Sequence, residues 1–382
     1  MSPFRVMVLG GYGVFGERVC RLLAAEPGIS IFITGRHLRK AETLRQGILD
    51  DYPQADISVA AFDYRLVLRQ ELERHHIDLV IHCSGPFQGQ DYEVACVCID
   101  AGVHYTDLAD GRQFVVNFSE LNNKAARAGV VALSGASTTP ALSACVADEL
   151  ASNLDQVEAI HIGVLPGNRA PRGLAVVKAI LSYTGKKIPR WQGGAMSQTY
   201  GWQDLKRETL SVPGVRSLGG RWISACDTPD ITLFVKRYPG VQSVTFHAGL
   251  ELSVLHLGLW VASWAVRFGV VSNLMPAAAL FMNAAKLFSR LGADSGGMFV
   301  EMTGRISTGV LRTMRWTLIA EDGDGPWIPV MAAVILARKL ARDEIAHRGA
   351  GPAVGIISLH EFDALFSRFA IKTAIACHDD RN

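Results

Sequence analysis

Three glycines near the start of the chain set the first chemical question. In "VMVLGGYGVFGERVC" (residues 6–20), Gly11, Gly13 and Gly16 follow a G-x-G-x-x-G spacing. An apolar run precedes them and a helical pattern follows. That setting suits a dinucleotide pyrophosphate: Gly11 for a tight turn, Gly13 for close approach of the backbone, Gly16 for packing helix on strand. Tyr12, Val14 and Phe15 lie between them and belong to the same expected cradle. The helix N-terminus adds free N–H groups and the positive end of its dipole. The alternative is a structural turn in a nucleotide-free fold of the same kind.

The next residues bear on which dinucleotide is bound. A site for NAD commonly carries Asp or Glu at the end of the second strand, accepting from the ribose 2′-OH. Here the sequence reads Thr34-Gly35-Arg36-His37, with Arg39 and Lys40 close by. A carboxylate would repel a 2′-phosphate and Arg36 can meet one, so the expected cofactor is NADP. The other reading of Arg36 is a solvated loop charge. Asp63 ends the third strand, as a contact on the adenine side or as a helix or turn cap. Ser84, Gly85, Pro86 and Phe87 end the fourth, where ligands of such sheets gather, and are expected to reach the cofactor's middle or nicotinamide end. Tyr105, Asp107 and Asp110 follow at the next rim. They are the catalytic candidates, orienting substrate or relaying a proton. The two carboxylates could equally cap turns or pair with an arginine. Ser137 and Thr138 are weaker candidates for contact with substrate.

These residues need strands that deliver them to one edge. Apolar runs at 5–9, 29–34, 57–63, 77–85, 103–108 and 129–135 alternate with helical patterns. This predicts an α/β fold with a doubly wound parallel sheet of the Rossmann type. From "STTPALSACVADELASNL" onward the character changes to a second α+β domain with an antiparallel or mixed sheet. In that stretch Thr139 is an expected N-cap with Pro140 at the first helical position. Residues 185–194 read as a loop, and 230–252 as two strands around a Pro-Gly turn. Segments 297–306 and 311–321 read as a hairpin, and 329–344 as a helix. Ser358 and Glu361 form a capping box. The expected domains are 1–135, 136–345, and a C-terminal segment 346–382 returning to the first. Residues 254–291 are nearly all apolar, but Arg267, Asn273, Pro276 and Asn283 divide them. Two ordinary helices fit this better than a span of about 20 apolar residues. Their apolar surface would form a buried hairpin, a homodimer interface, or a face that meets lipid or an apolar substrate.

Composition narrows the classes. Of 382 residues, 49% are hydrophobic and 19% charged, ample for folded cores, and the net charge of +2 comes from scattered residues. Nucleic acid as main partner would call for a clustered basic face, so a small-molecule substrate is expected instead. The seven cysteines show no metal-ligand spacing and read as reduced thiols of a cytoplasmic protein; no metal is expected. Arg5 and the run after it mimic a short signal peptide. The interrupting glycines, with Glu17 and Arg18 following at once, fit a strand and turn better.

"VLGGYGVFG", "TGR", "CSGPFQGQDYEVACVCIDAGVHYTDLADG" and "GASTTPALS" together resemble the saccharopine dehydrogenase-like oxidoreductases. The resemblance covers most of residues 5–145. It implies a Rossmann domain, a second α+β domain holding substrate at a cleft, and nicotinamide cofactor binding through the glycines, Arg36 and the Ser84–Phe87 turn. The expectation is an NADP(H)-dependent oxidoreductase, passing hydride to or from a C=N bond. The alternatives are an enoyl reductase for an apolar or lipid-linked substrate, and a non-catalytic NADP(H) sensor that meets a membrane or partner. A polyacid substrate would want clustered arginines; Arg169, Arg172, Arg221 and Arg237 stand in the second domain.

Overall fold

The computed structural model describes residues 3–171 and 173–380, so Arg172 lies outside them. The chain forms two compact units. One takes residues up to Ala141 together with Trp327–Ile357. The other takes Leu142–Pro326 together with the residues from Ser358 onward.

The first unit begins as β1 (Phe4–Leu9), α1 (Val14–Ala24), β2 (Ile29–Gly35), α2 (Leu38–Asp51), β3 (Asp56–Ala61), α3 (Tyr64–His75), β4 (Leu79–His82), α4 (Glu93–Asp100), β5 (His104–Asp107), α5 (Arg112–Asn117), α6 (Asn122–Arg127) and β6 (Val131–Ser134). All four residues of β4 and the last four of β1 are buried, as expected where helices cover both faces of a parallel sheet. Leu9 is in register with Thr34 on one side and His82 on the other, and His82 with Asp107. One row of the sheet therefore carries the ends of β1, β2, β4 and β5 to a common level.

The second unit continues as α7 (Ser143–Ala151), β7 (Gln156–Leu165), α8 (Leu174–Tyr183), β8 (Lys187–Gln192), β9 (Ala195–Tyr200), β10 (Lys206–Leu210), β11 (Leu218–Ala225), α9 (Asp230–Arg237), β12 (Ser243–Gly249), α10 (Ser253–Arg267), α11 (Ala278–Leu287), β13 (Gly296–Arg305) and β14 (Leu311–Ala320). The chain then re-enters the first unit as α12 (Ile328–Ala341) and β15 (Gly349–Pro352), and leaves it again as α13 (Leu359–Phe366) and β16 (Ile371–Asp380).

The first sheet has the order β15-β6-β5-β4-β1-β2-β3, parallel throughout. The second has nine strands, with β10-β11-β12-β7-β13-β14-β16 in line, β8 beside β12, and β9 beside β8. It is mixed, because β12 runs parallel to β7 while its other pairings are antiparallel.

Several boundaries differ from expectation. The return to the first unit begins at Trp327, where α12 packs on α1 and β15 pairs with β6. The residues from Ser358 do not return with it, since β16 pairs with β14 along ten positions. Residues 230–237 are a helix: Ile231 and Phe234 are buried one turn apart, Asp230 stands in the first turn and Lys236 and Arg237 in the last, the charge order that suits a helix dipole. Residues 187–192 are a strand despite Pro189, which lies where β8 pairs only with β9; Pro is tolerated at such an edge. Thr139 is extended, and the α-helix after it starts at Ser143. The capping box at Ser358 and Glu361 is formed.

Arg221, Arg237 and Arg169 serve the fold. Arg221 is buried; it donates to the Leu165 and Ser295 carbonyls at 3.1 Å each and pairs with Glu251 at 3.3 Å. Arg237 makes a two-pronged pair with Asp148 at 2.6 Å, and exposed Arg169 donates to the Arg290 carbonyl. Arg221→Met would leave Glu251 with only its backbone N–H donors from Asn168 and Ala293 and would strip a donor from two carbonyls, and losing one partner of a buried pair costs about 3 kcal/mol or more. Denaturant unfolding of the variant should show that loss, and a stability change under about 1 kcal/mol would refute it.

Candidate functional site

The site starts where β1 ends. Gly10 has φ +75°, a conformation open to glycine, and it turns the chain. The tight turn expected of Gly11 therefore belongs to Gly10. Gly11 is needed for another reason: a Cβ there would lie 2.8 Å from the Ile33 side chain. Its N–H donates to the Thr34 carbonyl at 2.9 Å, stitching the turn to β2. Gly16 has no space at all, since a Cβ would stand 2.2 Å from the Gly10 carbonyl oxygen. Helix α1 thus presses its first turn onto the loop backbone. Gly13 differs from both. It is exposed, is the N-cap of α1, and a Cβ there would meet only the Gly10 oxygen, at 3.1 Å. No side chain caps this helix start. The turn is built tight below and open above, with N–H groups facing the opening, which is what a phosphate requires.

The ends of β2 and β3 flank this opening. The Tyr12 ring lies against Gly35, where a Cβ would fall 2.3 Å from the ring, and its hydroxyl accepts from the His37 N–H at 3.0 Å. Lys40 stands 6.0 Å from the Tyr12 centroid. Arg36 is exposed and makes no hydrogen bond or ion pair among the described residues. Thr34 turns inward and donates to the Val8 carbonyl, so its side chain serves the sheet. Asp63 caps α3 by accepting from the Arg65 N–H at 3.1 Å, the cap alternative of its sequence reading.

Ser84, Gly85 and Pro86 are half-buried after β4, pinned by Gln90, which donates to the Ser84 carbonyl at 3.1 Å and the Pro86 carbonyl at 2.7 Å. Ser84 stands beside Gly10: its Oγ would lie 2.5 Å from a Cβ on that glycine. Phe87 does not face a ligand. It is buried between His82 and Phe114. Ser137 is buried and Thr138 half-buried.

Asp107 is fully buried and cross-links strand ends. Its Oδ1 accepts from the N–H groups of Ala109 and Gly135 and from the Ser134 hydroxyl, at 2.8–3.0 Å. Its Oδ2 accepts from the Tyr105 hydroxyl at 3.0 Å, and that hydroxyl lies 3.2 Å from His82 Nδ1. Burial raises the carboxyl to about 6, against the four hydrogen bonds that lower it, and holds His82 down at about 3. Tyr105 and Asp107, read as catalytic candidates, are thus enclosed and touch one another; neither side chain is open to a ligand. Asp110 is separate and exposed, accepting from Gln88.

Residues 6–133 match the family model for the saccharopine dehydrogenase NADP binding domain. The match lies within the first unit and is to a domain that binds NADP; NADP is the cofactor of that unit, and the domain is that of an oxidoreductase. The fold agrees along nearly the whole length: the apo, histidine-tagged L-glutamate-forming saccharopine dehydrogenase of Saccharomyces cerevisiae aligns over 98% of this chain and 100% of its own, with TM-score 0.68 and 13% identity. A dehydrogenase from Chromobacterium violaceum aligns over 84% of this chain and 76% of its own, at 12% identity and a TM-score of 0.38. No curated protein matches the sequence.

The residues that sequence reading missed are Gly10, His82 and a polar chain in the second unit. In that chain His247 Nε2 lies 3.2 Å from Asp204 Oδ2, and His247 Nδ1 lies 3.0 Å from His161 Nε2. The His247 hydrogen bond holds Asp204 at about 2, so it is ionised and accepts; His247 and then His161 must each donate from Nε2. His161, held at about 3 by burial and the neighbouring His247, is left with Nδ1 as an acceptor. The pairing of β7 with β12 brings the two histidines together, while Asp204 comes from the connection between β9 and β10, and no local motif announces it.

Two outcomes test the first unit. Gly13→Val should raise the Kd for NADPH at least tenfold, about 1.4 kcal/mol, with the unfolding midpoint nearly unchanged, whereas Gly16→Val should lose the fold itself; equal NADPH affinity in Gly13→Val would refute the cradle. The raised Asp107 carboxyl makes the folded state bind more protons than the unfolded state between about pH 4 and 6, so this group's contribution to stability falls as pH rises through that window, by about 3 kcal/mol in all. Asp107→Asn should remove that slope in denaturant titrations taken across the window, and a superimposable pH profile would overturn the assignment.

Proposed function

We propose that this protein is an NADP(H)-dependent oxidoreductase that passes hydride to or from the carbon of a C=N bond in an amino-acid-derived imine. The observation that carries the cofactor half is the opening at Gly13, tight beneath and free above. The residues fit the group: the Gly10–Gly16 backbone would hold the pyrophosphate, and the uncapped N–H groups of α1 would meet its charge. Arg36, exposed and without a hydrogen-bond or ion-pair partner among the described residues, would pair with the 2′-phosphate, with Lys40 adding charge nearby. NADPH, when bound, supplies the hydride. The imine reading is supported by likeness to a saccharopine dehydrogenase along 98% of the chain.

The protein's own part is positioning and electrostatics. Ser84, beside Gly10, can offer a hydroxyl to the cofactor's middle. Of the two carboxylates read as catalytic candidates, Asp107 is buried and Asp110 exposed, so Asp110 is the group able to keep an imine nitrogen protonated. Tyr105 and Asp107 act from beneath. They hold the loops after β5 and β6 together and thereby fix where Asp110 and Ser137 stand.

A second reading, reduction of an apolar or lipid-linked enoyl substrate, is favoured by the exposed apolar residues Val261, Phe268 and Leu287 in the second unit.

Loss of nicotinamide absorbance distinguishes the readings. The purified protein with NADPH should turn over with mixtures of amino and keto acids. Turnover with enoyl thioesters alone would favour the second reading, and binding without turnover on either panel would reduce the protein to a sensor. Arg36→Glu should weaken NADPH by about tenfold or more, the loss of a charge-assisted contact, and NADH hardly at all. Equal loss for both would refute the 2′-phosphate role.

A further inference from the structure

Helices α10 and α11 present the wrong residues to solvent. Val254, Val261 and Phe268 recur every seven residues, and seven residues return a helix to nearly the same face. All three are exposed, Phe268 by 73%, with exposed Gly258 between them. On α11, Leu280 and Leu287 repeat the interval and are exposed by 70% and 83%. A helix packed on a core and facing water carries polar residues on that side. Here the inward side is normal, with His256, Leu259, Ser263 and Val266 buried, and the outward side is apolar as well.

The charges around this face have one sign. From Ser253 to Ala293 there is no Asp or Glu, while Arg267, Lys286 and Arg290 are present. Helix α8 packs on α11 and adds exposed Leu174 and the cation Lys178, again without an acidic residue. Trp260 and Trp264 are half-buried on α10 with rings 5.9 Å apart, an amphipathic residue type suited to a headgroup level. No helix among the described residues is long and apolar enough to cross a membrane.

We infer that the outward face of α10 and α11 docks on the anionic phospholipid surface of a bilayer, lying in the interface without spanning it. Apolar side chains enter the acyl boundary while Lys286 and Arg290 reach the phosphates. Charge complementarity selects this occupant over a second copy of the chain. A two-fold contact sets a patch against itself, and this patch holds cations with no carboxylate to receive them.

Flotation of the full chain with vesicles tests this, using phosphatidylcholine alone and phosphatidylcholine mixed with phosphatidylglycerol. The protein should float with the mixed vesicles, less so as salt is raised, and weakly with phosphatidylcholine alone. Lys286→Gln with Arg290→Gln should lower partitioning on the order of tenfold, and Val261→Asp with Leu287→Asp should abolish it. An unchanged unfolding midpoint and far-UV circular dichroism in these variants show that they remain folded. Three results would overturn the inference: no flotation of the wild type, equal flotation on both vesicle types, or a wild-type homodimer in sedimentation that the aspartate variants dissociate while no vesicle is bound.

Discussion

Everything in the first unit follows from the contact between Gly16 and the Gly10 carbonyl. There is no room there for a single methyl group, so α1 sits on the turn as closely as backbone can. That closeness points the start of the helix at the space above Gly13 and holds β1 against β2 through the Gly11–Thr34 hydrogen bond. The surface proposed to bind phosphate is the upper side of a packing interface. Its shape is set by what lies beneath it, and the exposed cations at the end of β2 gain a fixed point from which to act.

The same division runs through the rest of the edge. Tyr105, Asp107, Ser134 and Gly135 form a closed set of hydrogen bonds under the rim, while Asp110 and Ser84 stand higher. Burial raises the Asp107 carboxyl, and four donors oppose that shift without cancelling it. Such a group ties two loops together at the cost of some stability near neutral pH. The raised carboxyl and its donors place Asp107 among positioning residues.

The sequence was legible where chemistry and local pattern coincide. The alternating strands and helices, the glycine turn and the Ser358 capping box each rest on residues close together in the chain. Backbone conformation was less visible: Gly10 and Gly11 are neighbours of one type, and only the φ angle shows which makes the turn. Residues 230–237 mix β-branched and apolar types as a strand would, so their helical spacing was hidden. Pro189 suggested a loop because the missing N–H matters only if a partner needs it, and pairing is not local. His247 and His161 come together through strand register, and Asp204 reaches them from the connection ahead of β10; the segments reveal this only once paired.

The position of β15 has a consequence for how the chain is made. The first sheet acquires its last strand beside β6 from Gly349–Pro352, and α12, which covers α1, also comes late. A ribosome releases β1 to β6 early and then builds nearly all of the second unit before either piece emerges. Throughout that interval the open side of β6 and the uncovered face of α1 wait for partners. A nascent chain of this topology completes its nucleotide-binding half only after most of the second unit has been made, and the cofactor can meet a complete domain only after that interval.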